Sequence, residues 1–277
     1  MIIESLEKNG FLYVPYPEDL RKGVEDAMEA WKAFCALPSE DKLRFGYDGD
    51  VKTSGNGYEL KLDVSAGDLK EDAHMRLAVR EDLLERAHRV DSMVAPAFVE
   101  KALAVNELMR SILEEFSAAV ESSLGLSGFK DDVMEYQPRW LIRFLHYFGD
   151  RKPGDEIASP HVDKGGFTLH LYESHPGVEY LSYETREWTS LPLSHSDTVI
   201  IPGMGLQNRS KGKLRALCHR VVATEDTATT GRFSAVCFFN FKNVRFYDKS
   251  TFGRLQSQEP GAFYDMSFEK FDGFFID

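Results

Sequence analysis

The sequence predicts an α+β protein: helices through the first half, then antiparallel strands in a barrel or sandwich, then a short covering tail. Three observations predict this class. Apolar residues recur every three or four positions before residue 130. From 140 to 240 they gather instead in short aromatic and β-branched runs. Gly, Pro, Asn and Asp separate those runs at short intervals without helical segments between them, which argues against βαβ repeats.

The elements follow in order. After Pro17-Glu18-Asp19, the residues Leu20, Val24, Ala27, Met28, Trp31 and Phe34 mark one buried helix face, and Pro38 stops it. Residues 39–70 are rich in Gly, Asp, Ser and Lys and read as loop, with Gly55-Asn56-Gly57-Tyr58 as its turn. A second helix follows Pro96, with Val105, Leu108, Ile112, Phe116 and Val120 in a stripe and Gly125 as terminator. The strand runs are 140–147, 167–172, 198–201 and 233–239, and the aromatic, acidic tail holds a short helix near 261–271. No repeat or linker divides the chain. It reads as a single domain, 1–277, with a mainly helical part at 1–130, a β core at 131–245 and a covering segment at 246–277.

At 277 residues the chain can bury a large core without covalent cross-links, and its three separated cysteines suit a reducing compartment, so a cytoplasmic location is expected. A net charge of −12 disfavours an electrostatic grip on nucleic acid. No apolar run reaches the ~20 residues of a membrane span, so no membrane partner is expected, and composition leaves the oligomeric state open.

The chemistry concentrates in the β half. In Pro160-His161-Val162-Asp163, residues i and i+2 of a strand point to one side, so His161 and Asp163 can aim at one point. An imidazole and a carboxylate so placed are two-thirds of the 2-His-1-carboxylate face that binds Fe(II) and leaves positions open. His219 opens a later β-branched run and can supply the third donor. On the next run Arg232 and Ser234 again stand i and i+2, where a planar guanidinium and a hydroxyl make a carboxylate receptor. Each pattern alone is weak. His195-Ser196-Asp197 repeats H-x-D and reads as a turn before a strand. His170 has the opposite parity to Asp163 and is expected to pack. Order, spacing and context together carry the signal.

With these residues in view, the chain resembles the non-haem Fe(II)- and 2-oxoglutarate-dependent oxygenases, in the branch that includes isopenicillin N synthase. Lys8-Asn9-Gly10-Phe11-Leu12-Tyr13-Val14 is similar to that family's N-terminal strand, and Phe34 to Lys42 to its helix end at Leu-Pro. Ile201-Pro202-Gly203, Ser210-Lys211-Gly212-Lys213-Leu214 and His219-Arg220-Val221 are similar to its later core. The resemblance implies a double-stranded β-helix (jelly-roll) core with N-terminal helices packed on it. It implies Fe(II) held by His161, Asp163 and His219, 2-oxoglutarate held by Arg232 and Ser234 with Tyr147 as a further contact, and O2 as co-substrate. The activity implied is a dioxygenase that oxidises a small molecule while 2-oxoglutarate becomes succinate and CO2. Arg143, Tyr58 and Phe241 are the candidate substrate contacts. Two alternatives stay open: an iron oxidase of the isopenicillin N synthase type that uses no 2-oxoglutarate, and a non-catalytic jelly-roll binding protein. Met204 and Asn240 depart from the family pattern without touching an implied ligand.

Overall fold

The computed structural model describes residues 2–47, 55–63, 68–193, 196–248 and 259–276. The N-terminal helix Ile2–Asn9 leads into β1 (Leu12–Pro15), and the helix Glu18–Cys35 buries the apolar stripe read from the sequence, from Leu20 to Phe34. Against it packs the helix Val94–Leu108. The expected continuous stripe is divided at Met109, and a second helix, Arg110–Leu124, ends at Gly125 in the left-handed region at φ 65°.

The described residues between 39 and 70 are not all loop. They hold a short helix, Ser39–Arg44, then β2 (Gly57–Asp63) and the start of β3 (Asp68–Met75), paired as an antiparallel hairpin. The physical reason is plain in β3, where Lys70, Glu71, Asp72 and His74 are all buried. Their side chains are satisfied by one another and by neighbours, so a ladder exists without the apolar alternation that betrays a strand.

The remaining strands are β4 (Leu141–Tyr147), β5 (Glu156–His161), β6 (Phe167–Glu173), β7 (Val178–Leu181), β8 (Trp188–Ser190), β9 (Asp197–Pro202), β10 (His219–Val222), β11 (Arg232–Phe239), β12 (Phe246–Tyr247) and β13 (Phe275–Ile276). Among the described residues a seven-stranded sheet runs β1-β9-β6-β11-β4-β3-β2 and a four-stranded sheet runs β5-β10-β7-β8. The ladders are antiparallel, as the punctuation implied. Two short helices, Met204–Arg209 and Glu225–Thr230, interrupt the β half but make no parallel crossover. The tail helix is shorter than expected, at Phe268–Asp272. His195 lies outside the described residues, and Asp197 of the same triplet opens β9.

Alternation divides the larger sheet into two faces. Ile142, Phe144, Leu169, Ala235 and Cys237 turn outward and join the helices in one apolar cluster. Leu145, Tyr147, Val199, Ile201 and Val236 turn inward and meet Ile157, Val178, Leu181 and Val221 of the smaller sheet. This is a jelly roll with helices packed on the outside of its larger sheet.

Candidate metal centre

His161 ends β5 and His219 begins β10, and the two are direct cross-strand partners. Their ring centroids stand 4.3 Å apart. Asp163 follows β5 in the turn to β6; its carboxylate oxygens lie 3.8 Å from His161 Nε2 and 3.9 Å from His219 Nε2. One donor atom from each of the three falls within 4.8 Å of the others. The i and i+2 argument brings His161 and Asp163 together, although the strand itself stops at His161.

Backbone detail holds this turn in place. Met204 N donates to Asp163 O and Gly203 N to Gly166 O, each at 2.8 Å. A Cβ on Gly203 would sit 2.4 Å from Gly165 O, so the close approach of these two loops needs glycine there. The imidazoles are also oriented. His161 Nδ1 lies 2.7 Å from Ser159 O and His219 Nδ1 lies 3.1 Å from Leu217 O. A carbonyl only accepts, so each Nδ1 carries the proton and each Nε2 turns its lone pair toward Asp163.

The electrostatics suit cation binding. Burial and the neighbouring His219 push His161 down to about 4, which keeps its ring neutral. Burial alone would raise the Asp163 carboxyl, but His219, His161 and a hydrogen bond from Thr168 outweigh it and hold it low. Thr168 Oγ1 donates to Asp163 Oδ2 at 2.5 Å. Thr168 is a residue that sequence reasoning passed over; its signal is its place one strand-turn beyond the H-x-D.

Register lays out what else shares this inner face. Thr168 stands beside Phe238, His170 beside Val236 and Glu173 beside Ser234, with Arg143 and Leu145 on the far side of Val236 and Ser234. Arg232 stands opposite Tyr147, with its guanidinium carbon 6.0 Å from the Tyr147 ring centre. Arg232 is 1% exposed, and its Nη2 donates to Glu173 Oε2 at 2.6 Å and to His175 O at 3.0 Å. Its Nη1 and Nε find no partner in the protein. Ser234 Oγ donates to Tyr172 O at 3.1 Å, leaving its oxygen lone pairs rather than its proton on offer. Burial raises the Glu173 carboxyl against the pull of Arg232.

The candidate substrate contacts divide. Arg143 is on the inner face but its guanidinium is held by Asp72, whose carboxylate also accepts from His74 Nε2 at 3.0 Å. Tyr58 is not there. It is 2% exposed among the helix-side cluster, and its hydroxyl donates to Glu71 Oε2 at 2.8 Å on the opposite face of β3. Phe241 is also outside the site, packed edge-on to Phe129 at 5.3 Å. Both were misjudged because a polar or aromatic residue near a core strand gives no parity of its own. His170, expected to pack, instead turns inward with an unpartnered, buried Nδ1.

Two other clusters bring three donors together, Cys35 with Glu71 and His146, and Glu59 with Asp72 and His74. In both, a protein cation already neutralises the central carboxylate: Lys42 on Glu71 at 2.6 Å, and Arg143 on Asp72. Among the described residues no lysine or arginine pairs with Asp163, and the cluster of His161, Asp163 and His219 fits a ferrous ion by donor type, with positions left for a chelating oxo acid and O2. The unpartnered Nη1 of Arg232 can donate to that acid's distal carboxylate.

Comparison with known proteins agrees with this chemistry. Residues 139–241 match the model of the 2OG-Fe(II) oxygenase superfamily. Clavatol oxidase of Penicillium crustosum is 25% identical over 274 residues, covering 86% of this chain and 79% of that protein. A 2-oxoglutarate-dependent dioxygenase of Didymella fabae is 25% identical over 241 residues, covering 78% and 71%. The crystal structure of a protein assigned to the 2OG-Fe(II) oxygenase family from Caulobacter crescentus superposes with a TM-score of 0.71 at 25% identity, covering 87% and 81%. The match over residues 139–241, the jelly-roll core and these relatives agree: the chain is similar to the 2OG-Fe(II) oxygenases, the non-haem dioxygenases that use ferrous iron and 2-oxoglutarate.

Proposed function

We propose that the chain oxidises a small-molecule substrate at a ferrous ion held by His161, Asp163 and His219, with 2-oxoglutarate received by Arg232 and Tyr147, and by Ser234 once its hydroxyl turns from Tyr172 O to the carboxylate. The observation that carries this reading is three converging donors on β5, β10 and the turn after β5, together with a buried guanidinium on β11 of the facing sheet whose Nη1 and Nε have no partner among the described residues. When bound, the metal and oxo acid supply the oxidising power, with O2 consumed and 2-oxoglutarate converted to succinate and CO2.

The chain's own residues do the rest. Ser159 and Leu217 carbonyls fix the imidazole tautomers, and Thr168 fixes the carboxylate. Glu173 and the His175 carbonyl anchor one end of the Arg232 guanidinium, so its remaining N–H groups face a fixed direction. Val236 and Phe238 give an apolar floor beside the donors, which excludes water and protects the oxidising step. Arg143, with Asp72 and His74, forms a polar band farther along the same face, suited to a polar group of the substrate. We read the whole chain as one functional unit, with 1–130 as scaffold and 131–245 as the catalytic part. The three cysteines are free, in keeping with a cytoplasmic location.

The test is anaerobic addition of Fe(II) and 2-oxoglutarate, which gives a visible metal-to-ligand band that His161→Ala abolishes, followed by succinate formation on admission of O2. A folded, metal-loaded protein without the band refutes the reading. Oxygen uptake without succinate would make Arg232 the receptor of the substrate's own carboxylate.

A further inference from the structure

We propose that His170 is a third contact for bound 2-oxoglutarate, donating a hydrogen bond to the oxo acid between the metal donors and Arg232. The inference deepens the proposed function and rests on it. Three facts lead there. First, His170 is on the inner face of β6, two residues beyond Thr168, which holds Asp163, and its neighbour across the ladder is Val236, two residues from Ser234. It therefore lies between the metal end and the guanidinium end of the site. Second, it is 8% exposed, and its Nδ1 is buried without a partner. A buried polar atom left unpaired destabilises the fold, so such an atom in a native interior calls for a partner that arrives with a ligand. Third, His170 feels Arg232, His219 and Asp163 electrostatically, which places it in the same field as both ends of a dicarboxylate bound there. The ligand class is set by that field: an anion spanning a divalent cation and a guanidinium, with an acceptor oxygen facing an imidazole N–H.

The experiment uses the full chain loaded with Fe(II) under anaerobic conditions and titrated with 2-oxoglutarate, following the visible band. His170→Leu is expected to weaken 2-oxoglutarate binding by about 10-fold or more, as loss of a hydrogen bond to a charged group implies. His170→Gln, which keeps a donor, is expected to recover most of it. Fe(II) affinity is expected to stay as in the parent, and the melting temperature of His170→Leu without oxo acid is expected not to fall. Unchanged 2-oxoglutarate affinity in His170→Leu, beside normal binding by the parent, overturns this inference alone. A parent protein that binds metal but never 2-oxoglutarate overturns the proposed function and this inference with it. Should both variants fail to fold, the parent decides: with 15N-histidine label and Zn(II) in place of iron, 2-oxoglutarate is expected to shift the His170 ring N–H resonance, and an unmoved resonance overturns the inference.

Discussion

Replacing Thr168 with valine removes one hydroxyl and almost no volume. In the structure that hydroxyl donates to Asp163 Oδ2 at 2.5 Å, with Thr168 3% and Asp163 6% exposed, so water cannot readily take its place. A hydrogen bond to a buried charged group is worth about 1.5–3 kcal/mol. If that whole difference fell on metal binding it would weaken affinity by about 10- to 150-fold, at tenfold per ~1.4 kcal/mol. Part of it falls on the metal-free protein too, where the carboxylate also loses its donor, so a loss of about 3- to 50-fold is expected. Valine suits a strand, so the fold should hold. The assay is chelator competition for Mn(II) or Co(II), with thermal melting in the presence of chelator as the control. Thr168→Ser should recover most of the affinity. Metal affinity within twofold of the parent in Thr168→Val would refute the claim that this hydrogen bond sets the carboxylate for coordination.

Three further outcomes are expected. Tyr58→Phe should cost about 1–2 kcal/mol of stability by freeing Glu71 from its 2.8 Å hydroxyl donor, with substrate KM unchanged; a raised KM in steady-state assays would return Tyr58 to the site. Arg232→Lys keeps the charge but loses the planar fork, so the 2-oxoglutarate KM should rise at least about 10-fold with metal content unaltered, as read by succinate formation and metal analysis. Acid should destabilise the protein through Glu71: burial would raise its carboxyl, but hydrogen bonds from His146, Lys42 and Tyr58 lower it from 4.5 to about 2. A depressed carboxyl stabilises the fold above its unfolded value and loses that contribution as pH falls from about 4.5 toward 2, by at most about 3 kcal/mol. Urea midpoints across that range should fall less steeply in Glu71→Gln than in the parent.

How far the sequence foretold this arrangement depended on how each residue is satisfied. The helix at 18–35 and strands β4, β6, β9 and β11 were readable because apolar side chains carry their periodicity openly. His161, Asp163 and His219 were readable because a short spacing and a strand rule bring them together, and the register of β5 with β10 completes the set. Strand β3 was not readable, since Lys70, Glu71, Asp72 and His74 are buried charged or polar residues, with Glu71 held by Lys42, Tyr58 and His146 and Asp72 by Arg143 and His74, which composition renders as loop. The same blindness hid Glu173, whose partner Arg232 is far along the chain. His170 was placed wrongly for a related reason. Parity was counted as if Asp163 were in the same strand, whereas a turn intervenes between β5 and β6 and resets the alternation.

Strand β5 is the border of the smaller sheet, bonded to β10 alone, and their ladder slips register between His219 and Val222. Such a margin is weakly secured by its own amide pairing and offers a template for stray association. A cation gripping His161 and His219 would clip the two chain segments together at the very place where the backbone does so least. Iron shortage would then do more than silence the enzyme: idle copies would fray at this seam first, becoming the fraction that proteases clear while charged copies persist.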